Sequence, residues 1–478
     1  MLFNSLHFAL FLPVVFVLYW FAFGKCLQRQ NVLLLVVSYY FYACWDWRFL
    51  FLLVFSTLLD FCSGLMISNG NKNHTKKAWL WLSISINVGL LAVFKYYNFF
   101  AASFASAVAQ SGFHINPWTL NVILPVGISF YTFHGLSYVI DVYKNRVKAE
   151  KNFISYAVFV SFFPLLVAGP IERATHLLPQ VKKRRTFQYA QAVDGLKQIL
   201  WGLFKKIVIA DQCAVYANMI FSHPADYSGS TLVLGAVFFA FQIYGDFSGY
   251  SDIAIGTARL FGIELLRNFA YPYFSRSIAE FWRRWHISLT TWFRDYVYIP
   301  MGGSKGSVGK KVSKITIVFL ISALWHGANW TFLVWGLLNV LYILPSIIFG
   351  FNRNNLGMVA AGKRFPSFKE MIDILIVFGL TTFAWIFFRA ESLGQAFQYI
   401  HGMFSPTLLS VPSLLPGKLF VLTVIFIVIE WMGREQQYAI AHLQMKWPKP
   451  VRWSFYYLVI SLILYFQGGN QPFIYFQF

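Results

Sequence analysis

Charge is what this sequence has least of. Only 12% of its 478 residues are Asp, Glu, Lys or Arg, where soluble domains carry about a quarter, and 58% are hydrophobic. That balance excludes a soluble globular domain and defines an all-α, polytopic integral membrane protein. Acidic residues are scarcer than basic ones, 18 against 39, for a net charge of +21. Cysteine is rare as well. Cys26, Cys44, Cys62 and Cys213 lack metal-ligand spacing, so neither a disulfide framework nor a zinc site is expected, and buried free thiols are. Also missing are a GxSxG elbow, a Walker loop, a GxGxxG fingerprint and an HExxH motif, which leaves a serine hydrolase, an NTPase, a dehydrogenase and a zincin without support.

Apolar runs are abundant. They fall near 6–24, 31–45, 48–67, 78–94, 96–110, 120–143, 153–170, 195–220, 231–263, 315–350, 371–389, 418–433 and 453–466. About 11–13 transmembrane or re-entrant helices follow. Proline and glycine interrupt several, at Pro125–Gly127, Phe163–Pro164 and Gly169–Pro170, and broken helices at membrane depth are tolerated where they line a cavity. The first segment, Phe8 to Phe23, has no basic n-region and no small-residue cleavage site, so it reads as a retained helix. The longest hydrophilic stretch, Phe351 to Lys369, is only a loop. A single membrane domain over 1–478 is expected, with its catalytic core at about 120–350.

The basic residues cluster in short loops: Lys72 to Lys77, Lys144 to Lys151, Lys182 to Arg185, Lys305 to Lys314 and Lys446 to Arg452. This is the positive-inside pattern of a multi-pass protein with membrane lipids, and not nucleic acid, as its surroundings. Lys182 to Arg185, Lys205, Lys206 and the Arg283 to Lys314 stretch also suit a cationic cytoplasmic mouth that attracts an anionic cosubstrate such as coenzyme A. Topology by itself also explains each cluster.

Two histidines stand out in Phe281 to Gly336. The spacing predicts a helix from 282 to 296 with Trp282, Trp285, Leu289, Trp292, Phe293 and Tyr296 on one face and Arg283, His286, Thr290 and Arg294 on the other. Pro300 ends it, MGGSKGSVGKKVSK (301–314) reads as a cationic loop, and a new helix starts at Ile315. His326 then lies about 18 Å along the helix from Lys314, near the middle of a hydrocarbon core, where an ionisable group points to function. Gly327 and Asn329 would loosen the helix after it, and Asn329 offers a hydrogen-bonding amide. Neutral imidazole suits proton transfer from a hydroxyl near pH 7. For His286 a structural role and a catalytic or positioning role both stand open.

Three further segments carry polar groups in apolar surroundings. FQIYGDFSGYSD (241–252) pairs Gly245 with Gly249 for close helix approach, and its Asp246 and Asp252 either orient a histidine or pair with Arg259 or Arg283. Glu172, Arg173 and His176 fit a local turn with a salt bridge, and His134, between Tyr131 and Tyr138, fits core hydrogen bonding.

The segments FKYYNFF (94–100), LPVGISFYTFHGLSYVIDVYK (124–144), FPLLVAGPIERATHLLPQ (163–180), FAFQIYGDFSGYSDIAIG (239–256), FWRRWHISLTTWFRDYVYIPMGG (281–303), ALWHGANWTFLVWG (323–336) and the terminal FIYFQF (473–478) resemble the membrane-bound O-acyltransferase (MBOAT) family. Within it they are most similar to the bacterial alginate O-acetyltransferase (AlgI-like) branch, related to the D-alanyl transfer protein of teichoic acid synthesis, DltB. The resemblance implies a ring of helices around a thin centre with funnels from both sides. It implies that His326 is the active-site histidine and His286 the second histidine of this branch. Arg283, Arg284, Asn329, Asp246 and Trp325 are the accompanying substrate-binding candidates. No bound cofactor is implied. The donor substrate is acetyl-CoA or another acyl thioester, such as one on a carrier protein, and the acceptor is a polysaccharide, reached directly or through a periplasmic SGNH-type partner. The setting is the bacterial inner membrane. A transporter or flippase for a lipid-linked glycan, and a non-catalytic subunit of a polysaccharide export complex, remain the alternatives.

Overall fold

A computed structural model describes the chain except residues 114, 117, 118, 120–123, 168, 352, 443–446, 469, 470, 472 and 475–478. The start of the apolar run expected at 120–143, Lys446 of the last basic loop and the end of the FIYFQF motif lie outside the described residues. Among those described, regular structure is helical throughout. By length and composition, five helices can cross a membrane: Arg48–Asn69, Asn73–Ala109, Gly229–Leu260, Trp330–Ile348 and Phe368–Arg389. The first apolar segment forms the helix Leu6–Val17, continued by a π-turn over Leu18–Ala22. Large apolar side chains such as Phe21, Phe51, Leu375 and Leu464 are exposed on helix surfaces, as suits a hydrocarbon solvent. Helix starts are set by side-chain caps, among them Ser277 on the N–H of Glu280, Asn329 on that of Thr331 and a Ser367–Glu370 capping box.

The chain divides into two compact units, Met1–Val193 with Thr257–Leu266, and Asp194–Gly256 with Arg267–Phe478. In the first, Arg48–Asn69 packs on Asn73–Leu91 and Ile128–Tyr143. The approach depends on missing side chains. A Cβ on Gly135 would lie 1.8 Å from Asp60 Oδ2, and one on Gly64 would lie 2.5 Å from the Tyr138 ring. Asp60 is buried and held by Ser83 Oγ at 2.6 Å and Asn87 Nδ2 at 2.9 Å, which offsets the desolvation of a polar group at that depth. The expected breaks are present. Gly127 starts Ile128–Tyr143 at φ +75°, and Phe162 separates Phe153–Ser161 from Phe163–Leu166. His134 is a packing residue: its Nε2 accepts the Glu172 N–H at 3.1 Å and its Nδ1 faces the Val160 carbonyl at 3.4 Å. His176 pairs with Glu172 at 2.8 Å, and that hydrogen bond raises the half-buried imidazole above its ordinary value.

The second unit is built on Gly229–Leu260. Gly245 and Gly249 touch the neighbouring backbone so closely that a Cβ would meet Lys205 O at 3.0 Å and Gly202 O at 2.8 Å. The small-residue pattern is realised as expected. The partners of its acids differ from the expectation. Asp246 binds Lys206 Nζ at 2.7 Å and accepts the Ile474 N–H at 2.7 Å, Asp252 binds Lys205, and Arg259 pairs instead with Glu264. Lys206 also reaches Asp211 at 2.8 Å and the Gln471 carbonyl at 3.2 Å. Lys205 and Lys206 are therefore buried and neutralised and cannot belong to a cationic mouth. The reason is a π-helical turn, Phe204–Ala210, which turns both ammonium groups inward. All four cysteines are free thiols, but only Cys213 is buried, whereas Cys44 and Cys62 are exposed. Loop and helix-surface positions, rather than the core, account for that difference.

Candidate active site

The region around His286 is not the continuous helix that its spacing suggests. Ile278–Arg284 ends, His286 takes left-handed backbone angles (φ 43°, ψ 55°), and Ile287–Phe293 begins, followed by a π-turn over Arg294–Tyr298. A non-glycine residue in that conformation is strained by about 1–3 kcal/mol and persists only where its surroundings dictate it. Asn268 does so. Its carbonyl accepts the Ile287 N–H at 2.9 Å, its side-chain oxygen lies 2.9 Å from His286 Nδ1 and from Ser288 Oγ, and Ala270 N–H reaches the Arg284 carbonyl at 3.0 Å. The segment 268–270 thus takes hydrogen bonds that a helix would have made internally.

His326 closes the helix Val308–His326, and Gly327 leaves it in extended backbone (φ −169°). That helix starts seven residues earlier than expected, so much of 301–314 is helical. Lys314 secures the preceding turn by donating to the carbonyls of Gly303 and Lys305 at 3.0 and 2.9 Å. The His326 ring is packed edge-on against Trp335 and Phe388, with centroids 5.2 and 5.1 Å away. Trp325 neighbours both imidazoles, its ring 4.8 Å from His326 and 5.9 Å from His286.

Both histidines line one cavity of about 550 Å³. Trp282, Phe293, Val318 and Phe319 make its walls apolar, and Thr290, Ser322 and Arg283 add polar groups. His286 and His326 are only 1% and 5% exposed, yet His326 is not sealed off, because part of its surface borders this space. His286 Nε2 finds no hydrogen-bond partner among the described residues. A buried polar atom left unsatisfied at a cavity wall suits a ligand that completes it. A second cavity, of about 400 Å³ and lined by Phe238, Phe241, Phe378 and Phe426, has no imidazole in its wall.

The other candidates scatter. Arg283 borders the imidazole cavity and donates to the carbonyls of Asn354 and Asn355 at 3.1 and 3.2 Å. Arg284 is buried in an ion pair with Glu280 at 2.7 Å and donates to Gly357 O at 3.0 Å, so its charge is spent on holding the 357–358 segment. Asn329 uses its amide for structure: Oδ1 caps the helix Trp330–Ile348 and Nδ2 donates to Glu391 O at 2.8 Å. Asp246 sits in the lysine cluster, bound to Lys206. Asn268 carried no signal in the sequence: it is one amide 18 positions before His286, outside any helical period, and its role rests on a backbone reversal. Among the described residues no group of three His, Cys, Asp or Glu is placed to hold a metal ion.

Helices that cross a membrane and a buried pair of imidazoles on one internal cavity define a multi-pass membrane protein with an enzyme-like site. Residues 145–387, which include both histidines, match the MBOAT, membrane-bound O-acyltransferase, family. The chain is 37% identical over 447 residues to a probable alginate O-acetylase AlgI of Pseudomonas aeruginosa, covering 92% of this chain and 82% of that one. It is 33% identical to the peptidoglycan O-acetyltransferase of Helicobacter pylori, over 100% of this chain and 98% of that one. A teichoic acid D-alanyltransferase of Bacillus subtilis is 30% identical over 45% of this chain and 57% of its own. The chain belongs to the membrane-bound O-acyltransferase family and is an acyltransferase.

Proposed function

We propose that this protein is a membrane-embedded O-acetyltransferase that O-acetylates an extracytoplasmic, alginate-like polysaccharide from the bacterial inner membrane. Its donor is a cytoplasmic acyl thioester, acetyl-CoA or an acylated carrier protein. The acyl group reaches the polymer directly or through the serine of a periplasmic SGNH-type partner. The whole chain, 1–478, acts as one catalytic membrane domain with its core at about 120–350. One observation carries the reading: His326 and His286 face the same cavity, with Trp325 in contact with both.

In this scheme His326 accepts the proton of the acceptor hydroxyl as its oxygen attacks the thioester carbonyl. The C–O bond forms, the C–S bond breaks, and the proton passes to the departing thiolate, so the imidazole ends as it began. Such a general base contributes about 10²- to 10⁴-fold. His286 positions a substrate, Trp325 packs beside both imidazoles, and Arg283 attracts the anionic donor. The His326→Ala protein, made in membranes of a strain lacking the native copy, tests this. Polymer O-acetylation is expected to disappear while expression and thermal midpoint stay near those of the parent. Undiminished acetylation overturns the assignment. Glycan translocation that persists with no acyl product from the parent protein would indicate a transporter.

A further inference from the structure

The hydrogen bonds behind His286 decide which of its nitrogens carries the proton. Asn268 Oδ1 lies 3.4 Å from the Ser288 backbone nitrogen and 2.9 Å from Ser288 Oγ. A backbone N–H only donates, so the amide must turn its oxygen this way. Its Nδ2 then donates to Ser251 Oγ at 3.1 Å, which fits the same orientation. An amide oxygen cannot donate. The 2.9 Å contact between it and His286 Nδ1 therefore requires the ring proton on Nδ1. Nε2 is left with its lone pair, buried and with no hydrogen-bond partner among the described residues, on a ring that lines the 550 Å³ cavity. Phe247 stands edge-on 4.6 Å from the imidazole, and Phe269 lies at 6.4 Å, so the ring is held against flipping.

We propose that Asn268 is a positioning residue that locks His286 in the Nδ1–H tautomer, so that Nε2 receives the hydrogen bond of a second hydroxyl of the acceptor, beside the one whose proton His326 takes. This rests on the site proposed above and gives His286 the acceptor side of the reaction, since a lone pair repels the oxygen of a thioester carbonyl. The backbone acts with the side chain. Asn268 O holds the Ile287 N–H, so one residue sets both the left-handed turn and the tautomer.

Nitrogen-15 NMR of the full-length protein in bilayers, with labelled histidine, tests the lock. The His286 signals are assigned by their loss in His286→Gln. The expected parent spectrum has a protonated Nδ1 and a bare Nε2, and Asn268→Asp, whose carboxylate still accepts, keeps it. Asn268→Leu is expected to release the proton to Nε2. It should also lower kcat/KM for the acceptor on the order of tenfold while leaving KM for the thioester near its parent value. A proton on Nε2 in the parent spectrum overturns the proposal without any variant having to fold. An unchanged tautomer and unchanged acceptor kinetics in Asn268→Leu overturn it as well. Full activity in His286→Ala, with the parent spectrum as expected, overturns instead the site reading beneath it.

Discussion

His134 and His286 are both fully buried in apolar surroundings, and each turns Nδ1 toward a carbonyl-type oxygen, yet they differ in what meets the rest of the ring. The difference lies at the second nitrogen. In His134, Nε2 is occupied by the Glu172 N–H, so the ring is a two-ended strut between Val160 and Glu172. In His286 the second nitrogen has no hydrogen-bond partner among the described residues, the residue lines a cavity, and the backbone beneath it is strained. Burial does not separate these two histidines. The destination of the last lone pair does.

That contrast can be broken most severely at His286. Replacing it with Ala is expected to lower polymer acetylation about 100-fold or more, with the thermal midpoint held within a few degrees, measured as O-acetyl released per folded molecule. His134→Ala should do the reverse. It leaves the Glu172 N–H orphaned and opens a void in the first unit, at a cost of about 2–4 kcal/mol, while acetylation per folded molecule stays at the parent level. A thermal shift in detergent reads this. His134→Gln sharpens the point, because its amide oxygen can accept the same N–H and should recover part of the lost midpoint. The smallest effect belongs to His176. Glu172 raises this imidazole, so the stability it adds is complete below the unfolded value of 6.5 and is lost as pH rises through the higher folded value. His176→Gln should lower the midpoint slightly near pH 6 and not at all near pH 9, because the side chain is more than a third exposed and its pair is screened. A difference that grows with pH would be the wrong sign.

Much of the architecture could be read before any coordinates, because lipid demands helices and apolar composition reports them directly. The Gly245 and Gly249 contacts, the broken helices at Gly127 and Phe162, and the hydrogen-bonding roles of His134 and His176 followed from spacing and local chemistry. The surroundings of His286 did not. Helical periodicity aligned Arg283, His286, Thr290 and Arg294 on one face, but four hydrogen bonds to Asn268 outweigh that local preference and reverse the chain at the histidine. The same limit hid the fate of the charges. Lys205 and Lys206 look like any basic pair at a membrane edge, and only their inward turn reveals the carboxylates of Asp211, Asp246 and Asp252 waiting for them. Arg284 and Asn329 had the right chemistry for a ligand, and the fold uses both on its own carbonyls.

The ammonium of Lys206 and the carboxylate of Asp246 each take one partner from the last stretch of the chain, at Gln471 and Ile474, 265 and 228 positions away. A ribosome delivers those partners only after more than two hundred further residues have been joined to the lysine and the carboxylate. Until then the membrane holds a cluster one donor and one acceptor short, so translation that stops before residue 471 leaves its ion pairs without those two hydrogen bonds.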